Sequence, residues 1–325
     1  MDWRRRFLRA ALVLFILLAL VCLAGMTYEQ ISSMRAHNRC SMVGQLVDVG
    51  GFRLYLHCVG TGATTVVFDS GALDSSVQWD GVQPVIAKTM RSCSFDRAGI
   101  GWSDPSPADH PSFSENANDL HKLLSKADIA PPFLLVGHSN GGLDMQTYAH
   151  RYPDEVAGIV LVDSVDADEI VQFPERFVTP AWGRLALKFT VPLGIPRFLG
   201  WCNHSAACPD CSKFTTTMVG QLAHYAEIEN EVRTSEKFGA IPLFVLAHDP
   251  AIGLGGQRDD AFEQAWSNWQ KDLAARSSDS KLEVVQGAGH EIQTEHPERV
   301  VDAIQWVMKQ TETKNPTMMG GVDHN

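Results

Sequence analysis

Basic residues are scarce in this chain of 325: Lys and Arg number 27 against 38 Asp and Glu, a formal net charge of -11. Four of the arginines, Arg4, Arg5, Arg6 and Arg9, crowd into the first nine residues beside one acid, Asp2, so the remaining chain carries -14. A body this acidic argues against nucleic acid or anionic headgroups as the main partner, because both are bound through clustered cations. Internal repeats and low-complexity tracts are missing too, which excludes a stacked-repeat architecture. Long apolar runs are reduced to one, Ala10 to Met26, which Phe7-Leu8 extends close to the ~20 residues needed to span a bilayer. Small residues are short where a signal peptide would be cut: Cys22-Leu23-Ala24-Gly25-Met26 is a poor A-x-A-like site. With basic residues ahead of the run, the expectation is an uncleaved signal anchor over residues 1–35, the N-terminus cytoplasmic and the rest outside the cytosol. Secretion after cleavage is the alternative.

A hydrophobic share of 45% is enough for a sizeable core, and one catalytic domain with an insertion is the expectation at this length. Of seven cysteines, Cys22 lies in the apolar run. Cys40, Cys58, Cys93, Cys202, Cys208 and Cys211 remain, an even set bound for an oxidising compartment, so disulfides are expected without a map. Cys58 closes one strand and Cys93 sits in another; they are candidates to pair, the alternative being two buried free thiols. The cluster Cys202-Asn203-His204 with Cys208-Pro209-Asp210-Cys211 offers zinc-type ligands, but its irregular spacing and the export signal favour a disulfide-stapled loop over a metal site.

Strand and helix signals then alternate. Gln45–Val49 and Arg53–Cys58 flank Gly50-Gly51, a hairpin signal. Thr65–Asp69 is a third strand, Trp79–Thr89 a helical stretch, Arg91–Phe95 a strand, and Ser112 with Glu115 a capping box opening a helix over Phe113–Ser125. Phe133–Val136, Ile159–Val162, Leu243–Ala247 and Leu282–Val285 continue as strands, with helices over Leu143–His150, Ala261–Ala275 and Glu298–Lys309. Such alternation predicts an α/β fold, a mostly parallel sheet with helices on both faces, over residues 36–164 and 240–309. The break in alternation at 165–239 is too long for a bare loop and predicts a helical cap. Residues 310–325 are polar and predicted to be a disordered tail.

Gly137-His138-Ser139-Asn140-Gly141 follows an apolar strand and opens a helix, the setting of a nucleophile elbow, so Ser139 is the candidate nucleophile. An alcohol needs a base, and His290, in Gly287-Ala288-Gly289-His290 after the last strand, is the candidate. For the acid that orients it, Asp249 after the Leu243 strand is preferred, with Asp163 at the end of the Ile159 strand as the rival. An oxyanion hole would use the backbone N–H of Asn140 and, from the loop Ser70-Gly71-Ala72-Leu73, that of Ala72.

These segments, with Gly142 extending the elbow and Asp96-Arg97-Ala98-Gly99-Ile100-Gly101-Trp102-Ser103-Asp104, resemble the α/β-hydrolase superfamily in its capped esterase and aminopeptidase-like branch, from about Gln45 to Lys309. The resemblance implies a Ser-His-Asp triad, no cofactor and a site between sheet and cap. Many relatives carry His-Gly where this chain has Ser70-Gly71. Serine at the elbow sets the chain apart from relatives with an aspartate nucleophile, such as epoxide hydrolases and haloalkane dehalogenases. The function expected is cleavage of a carboxylic ester with an apolar or amphiphilic acyl group; amide hydrolysis and a non-catalytic ligand-binding role are the alternatives.

Overall fold

The computed structural model describes residues 2–39, 42–72, 74–107, 112–173, 181–200, 237–253 and 259–314. The expected cysteine loop at 202–211, Cys40 and Leu73 lie outside these residues.

Among the described residues eight strands form one sheet: β1 (Gln45–Asp48), β2 (Arg53–Val59), β3 (Thr65–Asp69), β4 (Arg91–Phe95), β5 (Phe133–His138), β6 (Val156–Val162), β7 (Leu243–Ala247) and β8 (Ser280–Val284), in the order β1-β2-β4-β3-β5-β6-β7-β8. The β1–β2 and β2–β4 pairs are antiparallel; every other pair is parallel. The central strands are apolar on both faces and alternate side chains between two cores. Val67, Leu135, Leu161 and Val245 meet the helices Phe113–Lys126 and Asn140–Arg151 on one side. Phe68, Val136, Val160 and Leu246 meet the helix Pro297–Lys314 on the other. A period of two in fully buried strands is what a sheet covered on both faces requires.

Cys58 and Cys93 are register partners on β2 and β4, with Cα atoms 4.1 Å apart, and form a disulfide. Ser112 and Glu115 make the capping box, each side chain satisfying the other's backbone N–H. Elsewhere the structure departs from the sequence pattern. The stretch expected as one helix over 79–89 is a 3-10 turn, Ser76–Trp79, and a short helix, Gln83–Ile86. Pro84, which has no N–H to donate, fits the first turn of a new helix rather than the interior of a continuous one. The C-terminal helix runs on to Lys314, because Thr311 is buried and donates to the Ala157 carbonyl (2.9 Å) while Lys314 Nζ reaches Asp279 (2.6 Å).

Between β6 and β7 the described residues form the helices Ala167–Gln172, Ala181–Thr190 and Ile195–Phe198. The chain begins with a 38-residue helix, Asp2–Arg39, whose most apolar stretch reaches a mean hydropathy of 2.8 with none of it buried. At about 1.5 Å per residue it is long enough to cross a bilayer and continue beyond it. Its farther part is fastened to the region between β6 and β7: Glu29, itself buried, accepts two bonds from Arg197, both 2.9 Å, and Arg197 also donates to Ser33 Oγ.

Candidate active site

The C-terminal ends of β5 and β6 lie side by side, His138 in register with Val162, and each is followed by a non-glycine residue of positive φ: Ser139 (51°) and Asp163 (43°). Such backbone is disfavoured for L residues and persists only where surroundings impose it. At Ser139 they do. Its N–H donates to the Val162 carbonyl (3.1 Å), and its own carbonyl accepts from Gly142. The glycines around it sit at close approaches. A β-carbon on Gly137 would strike the Gly141 carbonyl, on Gly141 the carbonyls of Ser70 and Asp69, and on Gly142 the Ser164 side chain. Ser139 directly precedes the helix Asn140–Arg151, so the backbone N–H of Asn140 lies in the first turn, at the positive end of the helix dipole.

The loop after β8 brings His290 to these strand ends. His290 Nδ1 is 2.6 Å from Asp163 Oδ2. This fixes the proton on Nδ1 and leaves Nε2 as the basic nitrogen. The preceding histidine ties the loop to the elbow: His138 Nε2 donates to the His290 carbonyl (3.0 Å), and the two rings are 4.6 Å apart. Burial, then the His290 charge, push the pKa of His138 down to about 3, so it is neutral and no rival base.

Asp249, preferred in the sequence reading, points elsewhere. Its carboxylate accepts from Gly287 N–H (2.9 Å) and Ala251 N–H (2.9 Å), which holds the His290 loop by its backbone rather than its ring. The carboxylate at the His290 ring is that of Asp163, buried at 0% exposure. Burial alone would raise its pKa, but hydrogen bonds from His248 and His290 and their charges outweigh it and hold the group well below the usual carboxylate range. Three further donors converge on Asp163: His248 N–H (2.9 Å), the His248 ring (2.9 Å) and Trp266 Nε1 (3.1 Å). None was singled out from the sequence, because His248 and Trp266 carry no local motif and approach Asp163 from other elements.

The loop expected to supply the second oxyanion donor is held by the Asp96–Asp104 segment. Arg97, buried, pairs with Asp69 (2.5 Å) and donates to the carbonyls of Ser70 (2.6 Å) and Gly71, the residues just before Ala72. Asp96 accepts from Ser76 N–H (2.7 Å) and Trp102 N–H (2.8 Å), fixing the far end of the loop and its own turn. Asp144 is 3.5 Å from Arg97; burial and the neighbouring Asp69 charge push its pKa well up.

Asp74 and Glu291 are bridged by Gln78, which donates 2.9 and 2.8 Å bonds to them. His138, His290 and Glu291 are the one group among the described residues whose donor atoms come close enough for a metal ion, within 4.8 Å of one another. His138 Nε2 and His290 Nδ1 are engaged, with the His290 carbonyl and with Asp163, so an ion there would be held through the opposite ring nitrogens, His138 Nδ1 and His290 Nε2.

A family profile described as "alpha/beta hydrolase fold" matches residues 64–297. A probable transporter, efuK, from Hormonema carpetanum is 26% identical over 302 residues, covering 83% of this chain and 43% of that protein, so the chain spans under half of that relative. An uncharacterized Bacillus subtilis protein, YqjL, is 26% identical over 251 residues, covering 76% of this chain and 85% of its own length. Among solved structures, the ligand-free epoxide hydrolase CorEH superposes with a TM-score of 0.60 at 19% identity, over 82% of this chain and 98% of its own, a likeness of fold.

Proposed function

The chain belongs to the α/β-hydrolase family, and we propose that within it the chain acts as a serine hydrolase, cleaving a carboxylic ester through an acyl-enzyme on Ser139. The observation that carries this reading is the 2.6 Å contact between His290 Nδ1 and Asp163, beside a serine on a strained strand-to-helix turn. In this reading Ser139 Oγ attacks the ester carbonyl and passes its proton to His290 Nε2. The backbone N–H groups of Asn140 and Ala72 take the oxyanion, and Asp163 stabilises the imidazolium. His290 then protonates the leaving alcohol, and water, deprotonated by the same ring, releases the acid. Asp163 takes the role assigned above to Asp249.

An apolar or amphiphilic acyl group is supported by the N-terminal helix, read as a membrane anchor, and by Trp182, Leu185 and Phe189, spaced on one face of the Ala181–Thr190 helix and all exposed. The Cys58–Cys93 disulfide fits a catalytic part outside the cytosol. Amide hydrolysis is the second reading, because Asp74 and Glu291 would offer acceptors to a substrate ammonium group.

The test is a panel of chromogenic esters of increasing acyl length beside aminoacyl amides, run on the full-length protein in detergent with Ser139→Ala as control, together with labelling by a fluorophosphonate. Ester turnover and labelling confined to the Ser139 protein are expected. Folded protein that neither labels nor turns over any member of the panel would defeat the hydrolase reading in favour of ligand binding.

A further inference from the structure

We propose that His248 is a positioning residue for the pair His290 and Asp163: a buried imidazolium behind Asp163 that aims its carboxylate and offsets its charge toward His290. This rests on the reading of His290 as the general base.

Proton accounting supplies the first argument. His248 follows β7 directly and is buried at 0% exposure. Its Nδ1 lies 3.0 and 2.9 Å from the two oxygens of Asp163, and its Nε2 lies 2.7 Å from Glu263 Oε2. A carboxylate only accepts, whereas a neutral imidazole has one N–H and one lone pair. A neutral ring would therefore aim a lone pair at one of two carboxylates inside the protein, a repulsive contact. Both contacts are satisfied when both nitrogens carry protons. Burial opposes that charge, but the hydrogen bond and charge of Asp163, followed by those of Glu263, prevail and raise the pKa of His248 to about 9.

Geometry supplies the second. His248 N–H and Trp266 Nε1 both donate to Asp163 Oδ1, and the His248 ring spans both oxygens. The carboxylate is thereby turned so that Oδ2 faces His290 Nδ1.

The electrostatic consequence follows from the groups around each ring. His248 faces Asp163 from the end of β6, Glu263 and Trp266 from the helix Asp260–Ala274, and His290 from the loop after β8. His290 faces Asp163, Glu291, the neutral His138, His248 and, from the loop after β3, Asp74. For His290, burial works against the charged form, the Asp163 bond and charge and then Glu291 favour it, and the His248 cation works against it; the balance is a raised pKa. Without His248 the imidazolium would persist to still higher pH, and an imidazolium cannot take the Ser139 proton. His248 thus lets a fully buried carboxylate orient the base while limiting how far it raises the pKa of that base.

The test is the pH dependence of kcat/KM for a short chromogenic ester, measured on the full-length protein in detergent. His248→Gln, which keeps one side-chain N–H for Asp163, is expected to move the acid limb upward by about one to two pH units, a ten- to hundredfold loss on the acid side that recovers at higher pH. Glu263→Gln should move it the same way by less. A uniform loss at every pH with the limb in place would mean that His248 is only structural and would overturn the proposal. Should His248→Gln fail to fold, nitrogen chemical shifts of the histidine rings in the unaltered protein decide: His248 is expected doubly protonated at pH 7, and a neutral ring there refutes it. Failure of fluorophosphonate labelling would instead count against the serine hydrolase reading itself, so the two are separable.

Discussion

Asparagine at position 163 removes one charge and keeps the shape, which makes it the sharpest probe of the site. In the native protein Asp163 accepts from His290, from His248 by ring and backbone, and from Trp266, with no exposure to water. The amide introduced by Asp163→Asn has one acceptor oxygen for these donors, and its N–H groups would face either His290 Nδ1 or His248 Nδ1. If His290 meets the amide N–H, its proton moves to Nε2 and the ring loses its basic face toward the serine. By analogy with the same change in other triads, kcat is expected to fall about 10³- to 10⁴-fold, or roughly 4–5.5 kcal/mol of transition-state stabilisation. The buried charges left behind should also destabilise the fold by about 3–5 kcal/mol, lowering Tm by on the order of 10 °C. Asp249→Asn is the matched control. Its carboxylate serves two backbone N–H groups and is partly exposed, so only a small loss of stability and a change in kcat of a few-fold are expected. The assay is ester turnover per active site, with sites counted by fluorophosphonate titration so that unfolded protein is excluded. Full activity in a folded Asp163→Asn protein, or loss of activity confined to Asp249→Asn, would refute the assignment of the acid.

Three other changes probe the surrounding framework. Arg97→Lys replaces a group that bonds Asp69 and two loop carbonyls at once with a single ammonium; we expect kcat to fall about tenfold or more with KM little changed, as read by steady-state kinetics. His248 has a raised folded pKa, about 9, so its stabilising contribution is complete below the ordinary histidine value and is lost as pH rises through 9; thermal melts should show Tm declining across that window, and a decline of the same size in His248→Gln would argue against it. Replacing Cys58 and Cys93 together by Ser opens a bridge between residues 35 apart and should lower stability by roughly 2–4 kcal/mol, measured by denaturant titration under oxidising conditions; no change would mean that the bridge does not constrain the chain in solution.

Ser139 and His290 were legible as candidates because local backbone rules mark them: a serine at a strand-to-helix turn is flanked by glycines, and the last strand of an alternating chain ends near the same sheet edge. Which carboxylate meets the His290 ring was not legible, because Asp163 and Asp249 both follow strands, and the choice depends on what else fills the space. The position directly after β7 is taken by His248, whose N–H groups turn toward Asp163, while Asp249 turns to the backbone of the loop beyond. Arg97 lay in a motif noticed for its pattern, but its task depends on a loop 26 residues earlier. The capping box at Ser112 was read correctly because both partners lie within one helical turn; the end of the C-terminal helix was misplaced because Ala157 and Asp279, which hold it, are remote in sequence.

The bidentate contact between Glu29 and Arg197 bears on how a soluble form would be engineered. Cutting the chain at residue 36 to discard the apolar helix also discards Glu29 and Ser33, and with them three bonds to a guanidinium whose side chain is only 13% exposed. The truncated enzyme would then differ from the native one in the seating of the Ile195–Phe198 helix as well as in its tether. An altered acyl preference after truncation would accordingly be traced first to the missing carboxylate, and a version that retains residues 27–39, or that carries Arg197→Met to match the lost partner, is the fairer reference.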